Sequence, residues 1–392
     1  MFRIMKKLLL IVPSLHQGGL EKVCAATARL MQPYFDVRIA IFDSRNIAYD
    51  IKGIPVSDLS LPSRPGKIAK VINVIRRGIK LRRLKKSEQT DIAYSFGPTA
   101  NLANLASGGR SEKWLGIRSY MDMGNPRQIR LFCKCADRVI CCSETICREV
   151  WEKYRCEKAV TLQNPFDMKE VKALSELEEA ELPWETGRIL ISMGREDVVK
   201  GFWHLLKSFA LVHGKLPDTK LMIIGKGEFS SYRELAGKLG IDDAVCFTGL
   251  KKNPYPYLKR GSLYVLTSYY EGFPNAMVEA MSMGLPVIAT DCMTGPREIL
   301  EEQYGILIPN MSPAEDFNPE HITEEERKLA DRITALLEDQ EKMAHYREMS
   351  LKRVGDYTAE SYIQKICQWA GVRPFAVYDT AGERDDRNTY RQ

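Results

Sequence analysis

Short buried apolar runs that alternate with helical patterns are the feature of this sequence that most restricts its fold. In the first half, Leu8–Val12, Ile92–Phe96 and Arg138–Cys142 have the length and apolar content of strands covered on both faces. Helical patterns such as Leu20–Met31 and Glu144–Lys153 lie between such runs. Because parallel strands need long, usually helical connections, this alternation predicts an α/β fold with a doubly wound parallel sheet.

The same alternation begins again after Asn164-Pro165 and an acidic stretch, with strands predicted from Arg188–Met193 to Ile306–Ile308. A chain of 392 residues is long enough for two domains with separate cores. We expect a Rossmann-like domain over 1–165, a linker over 166–186, a second Rossmann-like domain over 187–356, a C-terminal helix over 357–371 that crosses back to the first domain, and a polar tail over 372–392. The cleft between the two domains is the expected site.

The net charge of +6 conceals two halves of opposite sign. Residues 1–164 hold 29 Lys and Arg against 14 Asp and Glu, a net charge of +15, and the remainder has a net charge of −9. The basic half is expected to meet an anionic partner. No apolar run approaches the roughly 20 residues of a transmembrane helix. Leu8–Val12 is too short for the core of a signal peptide and is predicted to be the first strand.

Ten cysteines are present, six of them between Cys133 and Cys156. This group contains no C-x-x-C spacing, and no histidine lies nearby to complete a zinc site. We therefore expect reduced thiols in a cytosolic protein, and neither a disulfide framework nor a metal centre.

Nine residues, EGFPNAMVE from Glu271 to Glu279, follow a predicted strand and open a helix. Gly272 and Pro274 shape the turn, and Asn275 is a candidate N-cap, so backbone N–H groups at the helix start are available to an anion. The two glutamates lie where carboxylates reach hydroxyl groups beside that anion. The pattern suits a nucleotide sugar, and the alternative is an ordinary capped helix with surface glutamates.

The loop after the first strand of each domain carries a further candidate motif. Arg195 and Lys200 come after Arg188–Met193, where they can neutralise a diphosphate, although two basic residues in a loop are also common on surfaces. Gly18 and Gly19 come after the first strand of the chain, and paired glycines let backbone amides approach a ligand closely. The pair does not form the dinucleotide fingerprint G-x-G-x-x-G, which argues against a dehydrogenase.

These motifs, in this order, resemble the retaining glycosyltransferases of the GT-B fold known as glycosyltransferase family 4. The two glutamates of EGFPNAMVE, the Gly-Arg and Lys-Gly pairs about 75 residues upstream, and the segments 281–290 and 295–299 carry the resemblance. It is strong over roughly 186–310 and looser over 1–165. The sequence is most similar to members that build bacterial surface glycans on polyprenyl-diphosphate carriers.

The resemblance implies an acceptor-binding first domain and a second domain that binds the nucleotide sugar. Glu279 would bind the ribose hydroxyls and Glu271 a hydroxyl of the donor sugar. The donor-binding residues that it implies are Gly18, Gly19, Arg195, Lys200, Phe273, Pro274, Asn275 and Glu279, and the catalytic ones are Glu271, Arg195 and Lys200, to which we add Asp122 as a candidate. It also implies retention without a metal or other cofactor, in keeping with the absence of a D-x-D element from the sequence.

One departure concerns a histidine that many members carry in the loop after the fifth strand. Here residues 118–125 contain no histidine. Arg118 and Asp122 are the alternatives for that place. His16, which precedes the glycine pair, is either a further candidate or a structural residue.

Ten basic residues and no acidic ones lie between Arg64 and Lys86, and isoleucines recur at helical spacing from Ile68 to Ile79. The predicted helix, Gly66–Lys86, has the pattern of an element that docks on an anionic membrane or binds an acceptor phosphate. The residues concerned are Lys67, Lys70, Arg76, Arg77, Lys80, Arg82 and Arg83. The alternative is a helix packed on the core with a solvated basic face. No aromatic residues interleave the basic ones, which argues against nucleic acid.

The sequence therefore predicts a retaining hexosyl- or N-acetylhexosaminyltransferase. Its donor would be a nucleotide-diphosphate sugar, with UDP favoured, and its acceptor a polyprenyl-diphosphate-linked or other glycan. We expect it in the cytoplasm, on the inner face of the plasma membrane. The alternatives are a soluble GT-B transferase with a small sugar or polyol acceptor and a non-catalytic scaffold that binds nucleotide sugar.

Overall fold

The first domain is built on a seven-stranded parallel sheet. A computed structural model describes residues 5–16, 18–45, 47–49, 51 and 53–374. The strands of this sheet are β1 (Lys7–Ser14), β2 (Asp36–Asp43), β3 (Val56–Asp58), β4 (Ile92–Phe96), β5 (Glu112–Ile117), β6 (Arg138–Cys141) and β7 (Ala159–Thr161). Their order is β3-β2-β1-β4-β5-β6-β7. The chain thus moves from β1 to one edge, returns to the centre and moves to the other edge, which is a doubly wound arrangement.

Helices cover both faces of this sheet. They are α1 (Gly19–Met31), α2 (Lys67–Glu88), α3 (Pro98–Ser107), α4 (Pro126–Cys135) and α5 (Glu144–Tyr154). One face is packed by α1, whose apolar side is buried against β1, β2 and β4. The other is packed by α2 and α3 over residues such as Leu9, Ile11 and Ala93.

The second domain repeats the design with six parallel strands. Its strands are β8 (Arg188–Met193), β9 (Thr219–Ile224), β10 (Val245–Gly249), β11 (Leu263–Leu266), β12 (Val287–Thr290) and β13 (Ile306–Ile308), in the order β10-β9-β8-β11-β12-β13. Its helices are α7 (Phe202–Lys215), α8 (Ser230–Lys238), α9 (Tyr255–Lys259), α10 (Asn275–Ser282), α11 (Pro296–Leu300), α12 (Glu324–Glu338) and α13 (Gln340–Val354). A further helix, α6 (Met168–Ser175), lies in the segment expected to be a linker. The predicted α/β fold with two doubly wound domains is confirmed.

The last helix, α14 (Ala359–Trp369), packs on the first domain. Its Tyr362 hydroxyl lies 2.6 Å from the hydroxyl of Thr27 on α1, and Ile366 is buried in the first domain's core. The two passages of the chain between the domains run side by side, since the N–H of Phe166 donates to the carbonyl of Tyr357 at 3.0 Å. Of the expected polar tail, 375–392 lies outside the described residues.

Every strand in both sheets is parallel, so the loops at the carboxyl ends of the strands gather at one edge of each sheet. The loop after β1 carries Gly18 and Gly19, the loop after β8 carries Arg195 and Lys200, and the loop after β11 carries Glu271. The fold therefore brings the three predicted motifs to the edges that line the cleft.

Candidate active site

Glu271 and Lys200 form an ion pair at the carboxyl edge of the second sheet. The Nζ atom of Lys200 lies 2.7 Å from Oε1 of Glu271, and the two side chains are 21% and 12% exposed. The aliphatic part of Lys200 packs against Gly194, where an added Cβ would lie 3.1 Å from it. Gly201 has φ +59°, and an added Cβ there would lie 2.5 Å from the carbonyl oxygen of Thr267, so glycine is needed for the loop to turn back against β11.

Arg195 lies on the same loop and is held by Asp197. Its Nε and Nη2 atoms donate to Oδ2 of Asp197 at 2.9 and 2.6 Å, and its side chain is 73% exposed. Burial acts to raise the pKa of Asp197, but the hydrogen bonds from Arg195 and from the backbone outweigh it and lower the pKa. Arg195 is thus much more accessible to water than Lys200.

Glu279 is buried in α10 and is reached from the first domain by Lys22. The Lys22 ammonium forms an ion pair with Oε1 of Glu279 and donates to the Tyr255 hydroxyl at 2.9 Å. Burial opposes the charge of Lys22, but the attraction of Glu279 and Tyr255 raises its pKa. Neither Lys22 nor Tyr255 is among the residues predicted from sequence. The sequence feature that could have indicated Lys22 is its position three residues after Gly19, in the first turn of α1.

Gly19 lies against the start of α10, and Gly18 beside it is hydrogen-bonded to Tyr49. The N–H of Gly18 donates to the Tyr49 hydroxyl at 2.9 Å, and that hydroxyl donates to the carbonyl of Gly18 at 2.6 Å. An added Cβ would lie 2.4 Å from Oε2 of Glu21 at Gly18, and 3.5 Å from Nδ2 of Asn275 at Gly19. At Gly19 the backbone of the first domain thus lies within van der Waals reach of the Asn275 side chain of the second.

The loop of Gly272 also contacts the first domain through its backbone. An added Cβ at Gly272 would lie 2.4 Å from the carbonyl oxygen of Arg118 and 2.9 Å from Cα of Ser119. Beside this contact the rings of Tyr120 and Tyr270 stack, with centroids 6.4 Å apart. The loop after the fifth strand and the loop of EGFPNAMVE therefore meet across the cleft.

Asn275 does not cap its own helix. Pro274 occupies the N-cap position of α10, and no side chain makes a capping hydrogen bond. The Oδ1 atom of Asn275 instead accepts a hydrogen bond from Nδ2 of Asn164 at 2.7 Å, and Oδ1 of Asn164 accepts one from Arg118. The predicted capping role is wrong, because the amide is used between domains. The ring of Phe273 is buried in the core, which leaves its backbone as the part that a ligand can meet.

Asp122 is engaged within its own loop. Its Oδ2 atom accepts hydrogen bonds from the N–H groups of Arg118 and Ser119 at 2.9 and 3.2 Å. Burial raises the pKa of Asp122 more than these hydrogen bonds lower it. His16 acts electrostatically on Glu21 and so lies near the glycine pair. Many members of the family that the sequence resembles carry a histidine in the loop after the fifth strand. Its replacement here by Arg118, Asp122 or His16 stays a prediction.

The seven basic residues predicted for membrane or acceptor contact lie on α2 and take no part in the cluster at the cleft. Arg77 is buried, donates to the carbonyl of Leu61 from Nε and Nη2 at 3.0 and 2.6 Å, and lies 4.2 Å above the ring of Phe42. Lys80 donates to the carbonyl of Leu59. The exposed side chains without these backbone contacts are Lys67, Lys70, Arg76, Arg82 and Arg83.

The apolar stripe of α2 faces solvent. The exposed fractions are 78% for Ile68, 60% for Val71, 49% for Ile72, 53% for Ile75 and 49% for Ile79. Asn73, Arg77, Gly78 and Leu81 face the protein instead. The helix therefore packs on the first domain through its other face, and the isoleucines take no part in that packing.

Within the described residues, no group of three or more His, Cys, Asp or Glu side chains is arranged to hold a metal ion. Across the same part of the chain, no helix combines the length and the apolar character needed to cross a bilayer.

Comparison with known proteins finds a family match over the second domain. Residues 175–353 match the family model of glycosyl transferases group 1. The match covers most of the second domain and a little less than half of the chain. An uncharacterized glycosyltransferase of Methanocaldococcus jannaschii is 37% identical over 195 residues, which are 45% of this chain and 48% of that protein. The chain spans about half the length of the first curated relatives that it matches.

Two other comparisons extend over most of the chain. N-acetylgalactosamine-N,N'-diacetylbacillosaminyl-diphospho-undecaprenol 4-alpha-N-acetylgalactosaminyltransferase of Campylobacter jejuni is 24% identical over 325 residues, which are 78% of this chain and 86% of that protein. The crystal structure of Anabaena HepE in complex with UDP and glucose superposes with a TM-score of 0.75 at 19% identity, covering 93% of this chain and 99% of HepE. The predicted GT-B fold is thereby confirmed.

Proposed function

We propose that the chain is a retaining glycosyltransferase that moves a hexosyl or N-acetylhexosaminyl group from a UDP-sugar to a glycan on a lipid carrier. The observation that carries the proposal is the meeting of Lys200, Glu271 and Glu279 around the start of α10, opposite Gly18 and Gly19. The group 1 domain supports sugar transfer. The UDP and glucose bound to HepE and the undecaprenol-linked substrate in the Campylobacter jejuni relative's name support the donor and the acceptor.

In this reaction the donor diphosphate lies at the start of α10, which no side chain caps, between Lys200 and Arg195. When the bond from the anomeric carbon to the diphosphate breaks, negative charge grows on the departing oxygen, and the two cations and the helix terminus stabilise it. Glu271 binds a hydroxyl of the sugar, and Glu279 binds the ribose after Lys22 has given way. The acceptor hydroxyl attacks the same face of the carbon and passes its proton to the departing diphosphate, so the anomeric configuration is kept.

The proposal is tested with the full chain, a panel of UDP- and GDP-sugars, and a short polyprenyl-diphosphate-linked sugar as acceptor. We expect mass spectrometry to find one added sugar with one of the UDP donors, and NMR of the product to give the anomeric configuration of the donor. UDP binding without release of sugar from any donor would favour the binding scaffold. Transfer to a free sugar but not to the lipid-linked one would favour the small-acceptor transferase.

The same proposal places the chain on the inner face of the plasma membrane, with α2 as the docking element. The solvent-facing stripe from Ile68 to Ile79 lies on the same helix as the exposed Arg76, Arg82 and Arg83. Exposed apolar residues among basic ones are typical of helices that lie in an anionic membrane surface. Docking there would bring the cleft to a lipid-borne acceptor.

A further inference from the structure

Cys133 and Cys156 lie together at the edge of the first sheet opposite the cleft. Cys133 is in the last turn of α4, and Cys156 lies between α5 and β7, so both are at the amino ends of the strands. Their thiols are hydrogen-bonded to each other. Cys133 is partly exposed and Cys156 is buried, and neither takes part in a disulfide.

Cys156 has the surroundings of a thiolate. Its sulfur lies near the Cys133 thiol and the backbone N–H groups of Lys158 and Ala159, and the Lys158 ammonium adds a nearby positive charge. The hydrogen bond from Cys133 and these further contacts outweigh burial and lower the pKa of Cys156 to about 7. A thiolate is the form of cysteine that acts as a nucleophile.

Both cysteines line a cavity of about 370 Å³. Four basic side chains line it with them, Arg130, Lys134, Arg155 and Lys158, against one carboxylate. This volume is within the range of pockets that take small molecules. The positive lining favours an anion. One pocket therefore combines a nucleophilic sulfur, a second thiol in contact with it and an excess of positive charge.

We propose that this pocket is a thiol-modification site for an anionic low-molecular-weight disulfide. The Cys156 thiolate attacks one sulfur of that disulfide, whose S–S bond breaks, and one half leaves as a thiolate while the other stays on Cys156 as a mixed disulfide. Cys133 then loses its proton to solvent, attacks the sulfur of Cys156 and displaces the second half as a thiolate. The two cysteines are oxidised to a disulfide, and the small disulfide is reduced to two thiols.

Oxidised glutathione, an anionic disulfide, is the probe. The full chain is incubated with it at pH 7, quenched with acid, digested and analysed by mass spectrometry. We expect a cross-linked Cys133–Cys156 peptide from the unmodified sequence, and a glutathione adduct on Cys156 from Cys133→Ser, which lacks the second thiol. Cys135→Ser is the matched control on the same helix, since Cys135 is exposed, and it should form the same cross-link.

A comparison within the unmodified chain keeps the test valid if a substituted protein fails to fold. The pKa of Cys156 is lowered by its contacts, and Cys156 lines the basic pocket whereas Cys135 does not, so Cys156 should react several-fold faster than Cys135. Equal or slower reaction of Cys156, or absence of the cross-link, overturns the proposal. A neutral disulfide of similar size that forms the cross-link as fast as glutathione overturns its anionic part.

Discussion

In the proposed donor site, Lys200 and Arg195 each offer a cation to the diphosphate, but from different surroundings. Lys200 is partly buried and paired with Glu271, whereas Arg195 is mostly exposed and paired with Asp197. Water and salt weaken the interactions of an exposed charge more than those of a partly buried one. A phosphate contact from Lys200 should therefore contribute more to binding than one from Arg195.

Lys200→Ala should weaken UDP binding about 10–150-fold, since a charge-assisted hydrogen bond contributes about 1.5–3 kcal/mol. Arg195→Ala should weaken it less. Isothermal titration calorimetry with UDP measures both. Lys215→Ala is the control, because Lys215 is an exposed lysine at the far end of α7, and its loss should leave the affinity unchanged. Unchanged affinity in both of the first two variants would place the diphosphate elsewhere.

Gly272 tests the contact between the two loops. In Gly272→Ala the new Cβ would lie 2.4 Å from the carbonyl of Arg118, so the loops must move apart. We expect turnover to fall about 10- to 100-fold, because small displacements of catalytic groups have effects of that size. Gly237→Ala, in α8 with open space around it, should instead stabilise the protein by up to about 1 kcal/mol. UDP release and thermal unfolding measure the two effects, and normal turnover by Gly272→Ala would contradict the assignment.

The residues that could be predicted from sequence are those whose motif is local. Glu271, Lys200 and the glycine pair each follow a predicted strand, and a parallel sheet places such loops at one edge whatever the details of packing. Lys22 and Asn164 could not be found in this way. They contact Glu279 and Asn275, which are 257 and 111 positions away, and only the packing of one domain on the other brings these side chains together.

Helix α2 shows what the periodicity of a sequence can and cannot predict about a helix. The period correctly places the isoleucines on one side of the helix, but not the side that faces the protein. That choice depends on Gly78, where an added Cβ would lie 2.8 Å from Cβ of Ala106 on α3, so the two helices pack closely through a residue without a side chain. The elements β3 and α6 were not predicted either, because β3 has one apolar residue among three and a helix of eight residues such as α6 gives little periodic signal.

Replacing the exposed Arg76, Arg82 and Arg83 with Glu should abolish sedimentation with anionic liposomes at low salt. Each basic residue at an anionic surface contributes about 1 kcal/mol, and reversal of the charge turns attraction into repulsion. Arg77 is left intact, since it is buried against Leu61 and Phe42 and its replacement would disturb the fold. Donor hydrolysis should persist, because the cluster at the cleft is untouched.

Two further liposome measurements separate charge from apolar contact. Ile72→Ser with Ile75→Ser should also weaken binding, because the exposed stripe loses apolar area. The matched control reverses Arg327, Lys328 and Arg332 on α12, which are equally exposed but lie in the second domain, and should bind as the unmodified chain does. If the unmodified chain does not sediment with anionic liposomes at low salt, the docking role of α2 is wrong.

The two domains contact each other through side chains of each that bind charged or polar groups of the other. Besides the Lys22 contact, the carboxylate of Glu298 on α11 accepts hydrogen bonds from the N–H groups of Glu144 and Thr145, at 2.8 Å each, at the start of α5. A carboxylate is favoured at that end of a helix by the helix dipole. The two domains are thus held together by specific charges, among them the Lys22–Glu279 pair, which the ribose of the proposed donor would have to displace.

Lys22→Met should tighten UDP binding about tenfold. Glu279 would no longer be paired in the free protein, so the ribose hydroxyls would not have to displace an ammonium group. A tenfold gain in affinity corresponds to about 1.4 kcal/mol of binding free energy. Lys22→Arg keeps the charge and should bind UDP much as the unmodified chain does. Calorimetry measures both, and weaker binding by Lys22→Met would show that Lys22 contacts the nucleotide.

Transfer should survive excess EDTA. The reason is that in the proposed reaction Lys200, Arg195 and the start of α10 supply the positive potential that would otherwise come from a divalent cation. The measurement is the initial rate of UDP release with and without EDTA. Loss of activity that returns with Mg²⁺ or Mn²⁺ would contradict it.

The paired passages of the chain at Phe166 and Tyr357 give the molecule a mechanical property. Two chain segments that join the domains side by side act as a hinge. When the domains rotate about this hinge, each loop moves in proportion to its distance from it. Because α14 anchors the second of these segments in the first domain, cutting the chain before Ala359 would leave only one connection between the domains. The domains would then be free to twist as well as to swing.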